Sequence, residues 1–269
     1  MSRFDSLEFE DGPRSRLRRR AASGLGTGTP IRDAVYFSQA GDEEFRTGRL
    51  ESALKSYSRA LECDSTAFPC WLMQVRVLIE LGEYKEAGIW ADKALEMFPE
   101  HPDLFAAKAV AAARMGLLDK AMAYSDNAAS RQGMTPFVWL SRGEVLLARR
   151  SRMATHCFDQ ALVGCNGGDL RGWMELELAR VLRRYGRFSE ALYHASRAAQ
   201  GLSHYAPVLL ELGHCQASLG LPEAALSFEG ALQLDRDCDE ARRALARFEA
   251  RGLWGSVRRA FRGLKGRRG

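Results

Sequence analysis

Five histidines, six cysteines and 34 carboxylates are the side chains here that could ligate a metal or move a proton. His101, His156, His194, His204 and His214 are dispersed. None stands four residues from another histidine or a cysteine, the spacing that puts two ligands on one helical face. His156 beside Cys157 is the best metal fragment, and it reads as a solvent-facing or packed histidine. Cys63, Cys70, Cys157, Cys165, Cys215 and Cys238 make neither a CxxC pair nor a Cys/His zinc pattern. Most fall in expected helices among apolar neighbours and read as reduced, structural thiols, with a Cys63–Cys70 disulfide across a helix–helix turn as the alternative. Glu175 and Glu177 read as exposed helix positions. The Ser/Gly stretches lack the spacing or the lysine of a phosphate loop. No catalytic constellation, metal site or cofactor motif emerges, so the expectation is a non-enzymatic protein without a small-molecule substrate.

The elements that must position these side chains are helices, and they recur. From Gly82 to Pro99 a turn glycine, Tyr84, and then Ala87, Ala91 and Ala94 on one face make an amphipathic helix that stops at proline. An alanine opens the apolar stripe at Ala53, Ala87, Ala121, Ala154, Ala191 and Ala224, and a second follows seven residues later at Ala60, Ala94, Ala128, Ala161, Ala198 and Ala231. Glycine starts the turn before the helix at Gly48, Gly82, Gly116, Gly186 and Gly220. A large apolar residue lies near the start of the preceding helix at Phe37, Trp71, Phe105, Trp139 and Leu209. Antiparallel helices at close contact leave room only for alanine, and one helical pair cannot bury its own apolar face, whereas a stack shares one core.

This grammar resembles the tetratricopeptide repeat, a helix–turn–helix unit of about 34 residues. The match is fullest in 68–101, through Trp71, Gly82, Tyr84, Ala87, Ala94, Leu95 and Pro99. The resemblance implies an all-α fold, a right-handed superhelical α-solenoid of six units at 34–67, 68–101, 102–135, 136–168, 172–205 and 206–238. A capping helix is expected at 239–251. The fourth unit replaces its turn glycine by Arg150-Ser151-Arg152, and CNGGDLR (165–171) reads as an irregular loop, so 163–172 is expected to break the superhelix slightly. In the fifth unit Glu175 stands where a bulky residue is expected, with Trp173 two positions earlier.

The resemblance also places the second, fifth, ninth and twelfth residues of each first helix on a concave face. By register these are Leu72, Arg76, Ile79, Val110, Phe137, Glu144, Leu147, Trp173, Arg180, Arg183 and His214, a mixture suited to a peptide or helix with apolar anchors and a few charges. Ser38 and Asp42 occupy first-unit positions of the clamp by which some family members grip an acidic chaperone tail, so that clamp is absent.

The formal net charge of +5 is unevenly placed: +2 over 1–33, +7 over 250–269, and −4 between them. Residues 1–33 read as a disordered arm rich in arginine, glycine and serine, without the apolar core of a secretory signal. In 252–269, Trp254, Val257, Phe261 and Leu264 form an apolar stripe flanked by Arg258, Arg259, Arg262, Lys265, Arg267 and Arg268. That is the pattern of a helix on an anionic membrane surface, although three glycines weaken it. A basic tail on an acidic body is a poor nucleic-acid surface. The sequence thus predicts a cytoplasmic protein–protein interaction scaffold. The alternatives are a peripheral membrane adaptor held by its tail and a regulatory subunit that presents a substrate to an enzyme.

Overall fold

In the computed structural model, which describes residues 32–250, the alanines that the sequence repeats sit at helix contacts.

 Counted over both series, eleven alanines have no exposed surface, and Ala154 alone keeps a trace. Thirteen helices and no strand are found among the described residues.

The described residues divide into two compact units, 32–45 with 49–100, and 46–48 with 101–250. The first contains α1 (Ala34–Arg46), α2 (Leu50–Cys63), α3 (Phe68–Glu80) and α4 (Tyr84–Met97). Its interior is built on Tyr57, Leu61, Val75 and Leu78, and the indoles of Trp71 and Trp90 meet with ring centroids 5.8 Å apart. Tyr57 lies flat against Gly41, where an added Cβ would stand 2.8 Å from the ring, and its hydroxyl donates to Asp42 Oδ1 at 2.7 Å. Burial and that carboxylate push the phenol well above its usual range.

The second unit contains α5 (Pro102–Arg114), α6 (Leu118–Ala129), α7 (Pro136–Ala148) and α8 (Ala154–Val163). It continues with α9 (Gly168–Arg184), α10 (Phe188–Leu202), α11 (Ala206–Ser218) and α12 (Ala224–Leu234), and then α13 over 239–250. A large apolar cluster joins Phe158 and Ala161 of α8, Leu178 and Leu182 of α9, Ala191 and Ala195 of α10, and Cys215 of α11. Consecutive helices therefore share one core, as stacked repeats must. Ala241 and Ala244 of α13 are buried against α11 and α12, which closes the apolar face of the last pair.

Turn geometry explains the glycine series. Gly82 has φ +83°, its N–H bonds to Ile79 O, and the next N–H, of Glu83, reaches back to Leu78 O. This paired closure of a helix end needs a left-handed residue, which glycine adopts without strain. In the fourth unit Arg150 takes the same place at φ +57°, with Arg150 N–H to Leu147 O and Ser151 N–H to Leu146 O. The turn survives the loss of its glycine.

Two expectations are corrected. The stretch 165–171 is not all loop: α9 begins at Gly168, so Asp169, Leu170 and Arg171 are helical and the connection shrinks to a few residues with Gly167 at φ +79°. All six cysteines are free, and Cys63 is exposed rather than packed while Cys70 is buried, so the alternative disulfide is not formed. The arm up to Ile31 and the tail from Arg251, with Arg258, Arg259, Arg262, Lys265, Arg267 and Arg268, lie outside the described residues.

Candidate interaction site

The first-helix residues that the register assigns to a groove fall into two sets. Ile79, Val110 and Glu144 are buried, which corrects their assignment as partner-facing side chains. Helix packing claims the ninth and twelfth places wherever the neighbouring helix comes close. Leu72, Arg76, Phe137, Leu147, Trp173, Arg180, Arg183 and His214 are half-buried. In the first unit Arg76 stacks over Phe45, its guanidinium carbon 5.8 Å from the ring centroid.

In the second compact unit the buried Glu144, and Arg183 and His214 of this set, are engaged with side chains of other helices. Arg114 of α5 grips Glu144 of α7 with Nε to Oε1 at 2.9 Å and Nη2 to Oε2 at 3.2 Å. Both side chains are nearly closed to water, at 6 % and 2 % exposure. Two parallel bonds suit the planar guanidinium, and burial makes the pair sensitive to loss of either partner. The Tyr185 phenol is pushed up by burial and by the Glu144 charge, which places it beside the same carboxylate.

Two further pairs continue the pattern. Arg183 of α9 forks onto Glu211 of α11, Nε to Oε1 at 2.5 Å and Nη2 to Oε2 at 2.9 Å. Burial opposes the Arg183 charge, yet the Glu211 bond and charge outweigh it and its pKa rises. His214 of α11 meets Glu240 of α13, Nε2 to Oε1 at 3.2 Å. That bond, against the effect of burial, holds the Glu240 carboxyl below its usual range, with Arg183 and Arg180 adding to it. Glutamates at 144 and 211 thus each receive an arginine from another first helix, and Glu240 of the cap meets an imidazole.

Apolar side chains remain as the accessible part of the face. Phe137 packs at the edge of Ala106, Ala128 and Val138. Leu147 borders the large cluster, and Trp173 lies edge-on to Tyr205 with centroids 4.9 Å apart. Sequence reasoning missed Arg114, Glu211 and Glu240 because their partners sit 30, 28 and 26 residues away in other units. It also took Glu175 for an exposed residue. Glu175 is buried, with His194 Nδ1 2.5 Å from Oε2 and Arg197 Nε 2.9 Å from Oε1. Its position among bulky residues in the other units was the available signal.

Among the described residues no group of three or more His, Cys, Asp or Glu is placed to hold a metal ion, and no helix is long and apolar enough to cross a membrane. Burial raises the thiols of Cys70, Cys157, Cys165 and Cys215 and keeps them protonated.

These features define an all-α protein of stacked helical pairs. Residues 68–101 match the family model described as tetratricopeptide repeat, and the helical pairs on either side of them repeat the same helix–turn–helix form. Its fold is similar to that in the APC/C hetero-tetramer Cut9–Hcn1, at 15 % identity and TM-score 0.52, over 80 % of this chain and 43 % of that one. A tetratricopeptide repeat protein from Parabacteroides merdae is similar at 16 % identity and TM-score 0.52, over 80 % of this chain and 84 % of the other. Yeast Tom70 is similar at 19 % identity and TM-score 0.52, over 84 % and 55 %. The chain therefore spans less than half of the Cut9–Hcn1 chain that it matches. No curated protein matches it in sequence.

Proposed function

We propose that this protein is a non-enzymatic scaffold that holds a peptide or helical segment of a partner protein against its first-helix face. Tetratricopeptide repeats generally mediate protein–protein interaction. The observation that carries the reading for this chain is the division of labour on that face. Polar and charged groups at Arg114, Glu144, Arg183, Glu211, His214 and Glu240 are spent on one another, while Phe137, Leu147 and Trp173 stay half-buried and apolar. A bound segment then gains mainly by covering apolar anchors, at about 25 cal/mol per Å² removed from water. Arg180 stands at the margin as a polar contact that sets orientation.

Affinity capture with the full chain identifies the partner, and titration with the captured segment tests the site. Leu147→Asp is expected to weaken binding at least tenfold with a modest fall in melting temperature from lost packing, and Arg180→Glu to weaken it less at the wild-type melting temperature. Affinity unchanged in Leu147→Asp removes the assignment of this face.

A further inference from the structure

At the fourth place of the first helix, five units carry Phe37, Trp71, Phe105, Trp139 and Leu209, and the fifth unit carries Glu175. In the second repeat Trp71 faces Trp90; at the same spacing in the fifth repeat, Glu175 faces His194, with Nδ1 2.5 Å from Oε2. An acid and a base have replaced an aromatic pair at one register. Glu175 is 2 % exposed. Its Oε1 accepts from Arg197 Nε at 2.9 Å, and Arg171 Nε stands 3.6 Å away. Two arginines on the Glu175 carboxylate leave one positive charge over, which Asp169 in the lining formally offsets, so the hollow offers guanidinium donors more than net charge.

These side chains border a hollow of about 270 Å³ between the start of α9 and the end of α10, lined with Gly168, Asp169, Arg171, Gly172, Arg197 and Gly201. An added Cβ at Gly168 or Gly201 would meet nothing within 4 Å. Arg197 donates its Nε to Glu175, and Arg171 donates Nη1 to Leu162 O at 3.1 Å. The arginine side chains are 39 % and 40 % exposed, so further guanidinium N–H groups are open to a ligand.

We propose that this hollow is a second docking point, which takes the carboxylate of an acidic side chain from a protein partner. Planar guanidinium edges match a carboxylate, and the buried Glu175 behind them fixes their orientation. Asp169 on the rim favours a singly charged guest. A doubly charged phosphate would gain no donors and would meet more repulsion from Asp169 and Glu175. The site is framed by both helices of one pair and stands apart from the first-helix face, so it does not rest on the groove reading.

Calorimetric titration of the full chain with acetylated, amidated triglutamate, with triglutamine and with inorganic phosphate tests this. Triglutamate is expected to bind saturably, phosphate more weakly, and triglutamine not at all. Arg197→Gln should weaken triglutamate about tenfold, the loss of one charge-assisted contact. Gly201→Leu fills the hollow from a helical position and should abolish binding, while the melting temperature stays level or rises. Leu147→Asp should leave triglutamate binding intact. The proposal is overturned if triglutamate shows no saturable binding, if its binding survives Gly201→Leu, if triglutamine binds equally well, or if phosphate binds more tightly.

Discussion

Gly143 and Phe158 show how far a single side chain is dictated by its partner. A Cβ at Gly143 would lie 2.3 Å from the Phe158 ring, and Gly213 stands in the same relation to Phe228, as Gly41 does to Tyr57. The matching places in the second repeat hold Val75 and Ala91, and in the fifth repeat Ala179 and Ala195, all buried. Bulk is thus placed on one helix or the other, never on both. Gly143→Val should lower stability by about 1–3 kcal/mol through overpacking. Phe158→Ala should lower it by about 3–5 kcal/mol through the cavity it leaves. The double variant reproduces the pair of the second unit, so its loss should fall well short of the sum, as read from urea unfolding midpoints. Additive losses would show that the two sites are not coupled. Arg150 offers the opposite case, a residue less suited than its alternative. Its φ of +57° is unfavourable for a side chain with a Cβ, and Arg150→Gly should stabilise by roughly 0.5–1 kcal/mol, seen as a rise of about 2–4 °C in melting temperature. A lower melting temperature would mean that the arginine side chain contributes more than the strain costs.

Between elements, the Arg114–Glu144 fork ties α5 to α7 where the groove register expected a partner-facing carboxylate. Arg114→Met leaves Glu144 buried without its cation, and the expected loss is about 3–5 kcal/mol. Adding Glu144→Leu removes the stranded charge and should restore most of it, since an apolar pair of similar volume is often no worse than a buried ion pair. Failure of the double variant to recover in chemical unfolding would mean that the pair contributes more than its own desolvation costs. This contact also marks where the sequence ceased to be legible. Alanine at seven-residue spacing is set by contacts within a pair, so Ala87 and Ala94 announce their helix locally. Arg114 and Glu144 belong to different units, and nothing near either residue names the other. Glu175 was legible as a departure from its column, but its burial follows from His194 and Arg197 on the next helix.

At the scale of the whole molecule, energetics should follow the repeat architecture. A helical pair in a stack touches only its neighbours, so stability is close to a sum of unit and neighbour contributions. Ala94 of α4 is fully buried and belongs to the compact unit that ends at Glu100. Ala94→Trp cannot be housed without moving α3 or α4, at a cost of about 1–3 kcal/mol or more. Native-state hydrogen exchange is the suitable measurement, because it reports opening free energy helix by helix. Amides of α3 and α4 are expected to exchange about tenfold to a hundredfold faster, one decade for each 1.4 kcal/mol. Amides of α9 and α10, whose core is built on Leu178, Leu182, Ala191 and Ala195, should keep their wild-type rates. Equal acceleration in α9 and α10 would show one cooperative body in place of neighbour-limited units. In that event a ligand on any one pair of helices would stabilise all of them. Under the expected outcome, a partner on the face of α7 and α9 tightens those helices and leaves α3 and α4 unchanged.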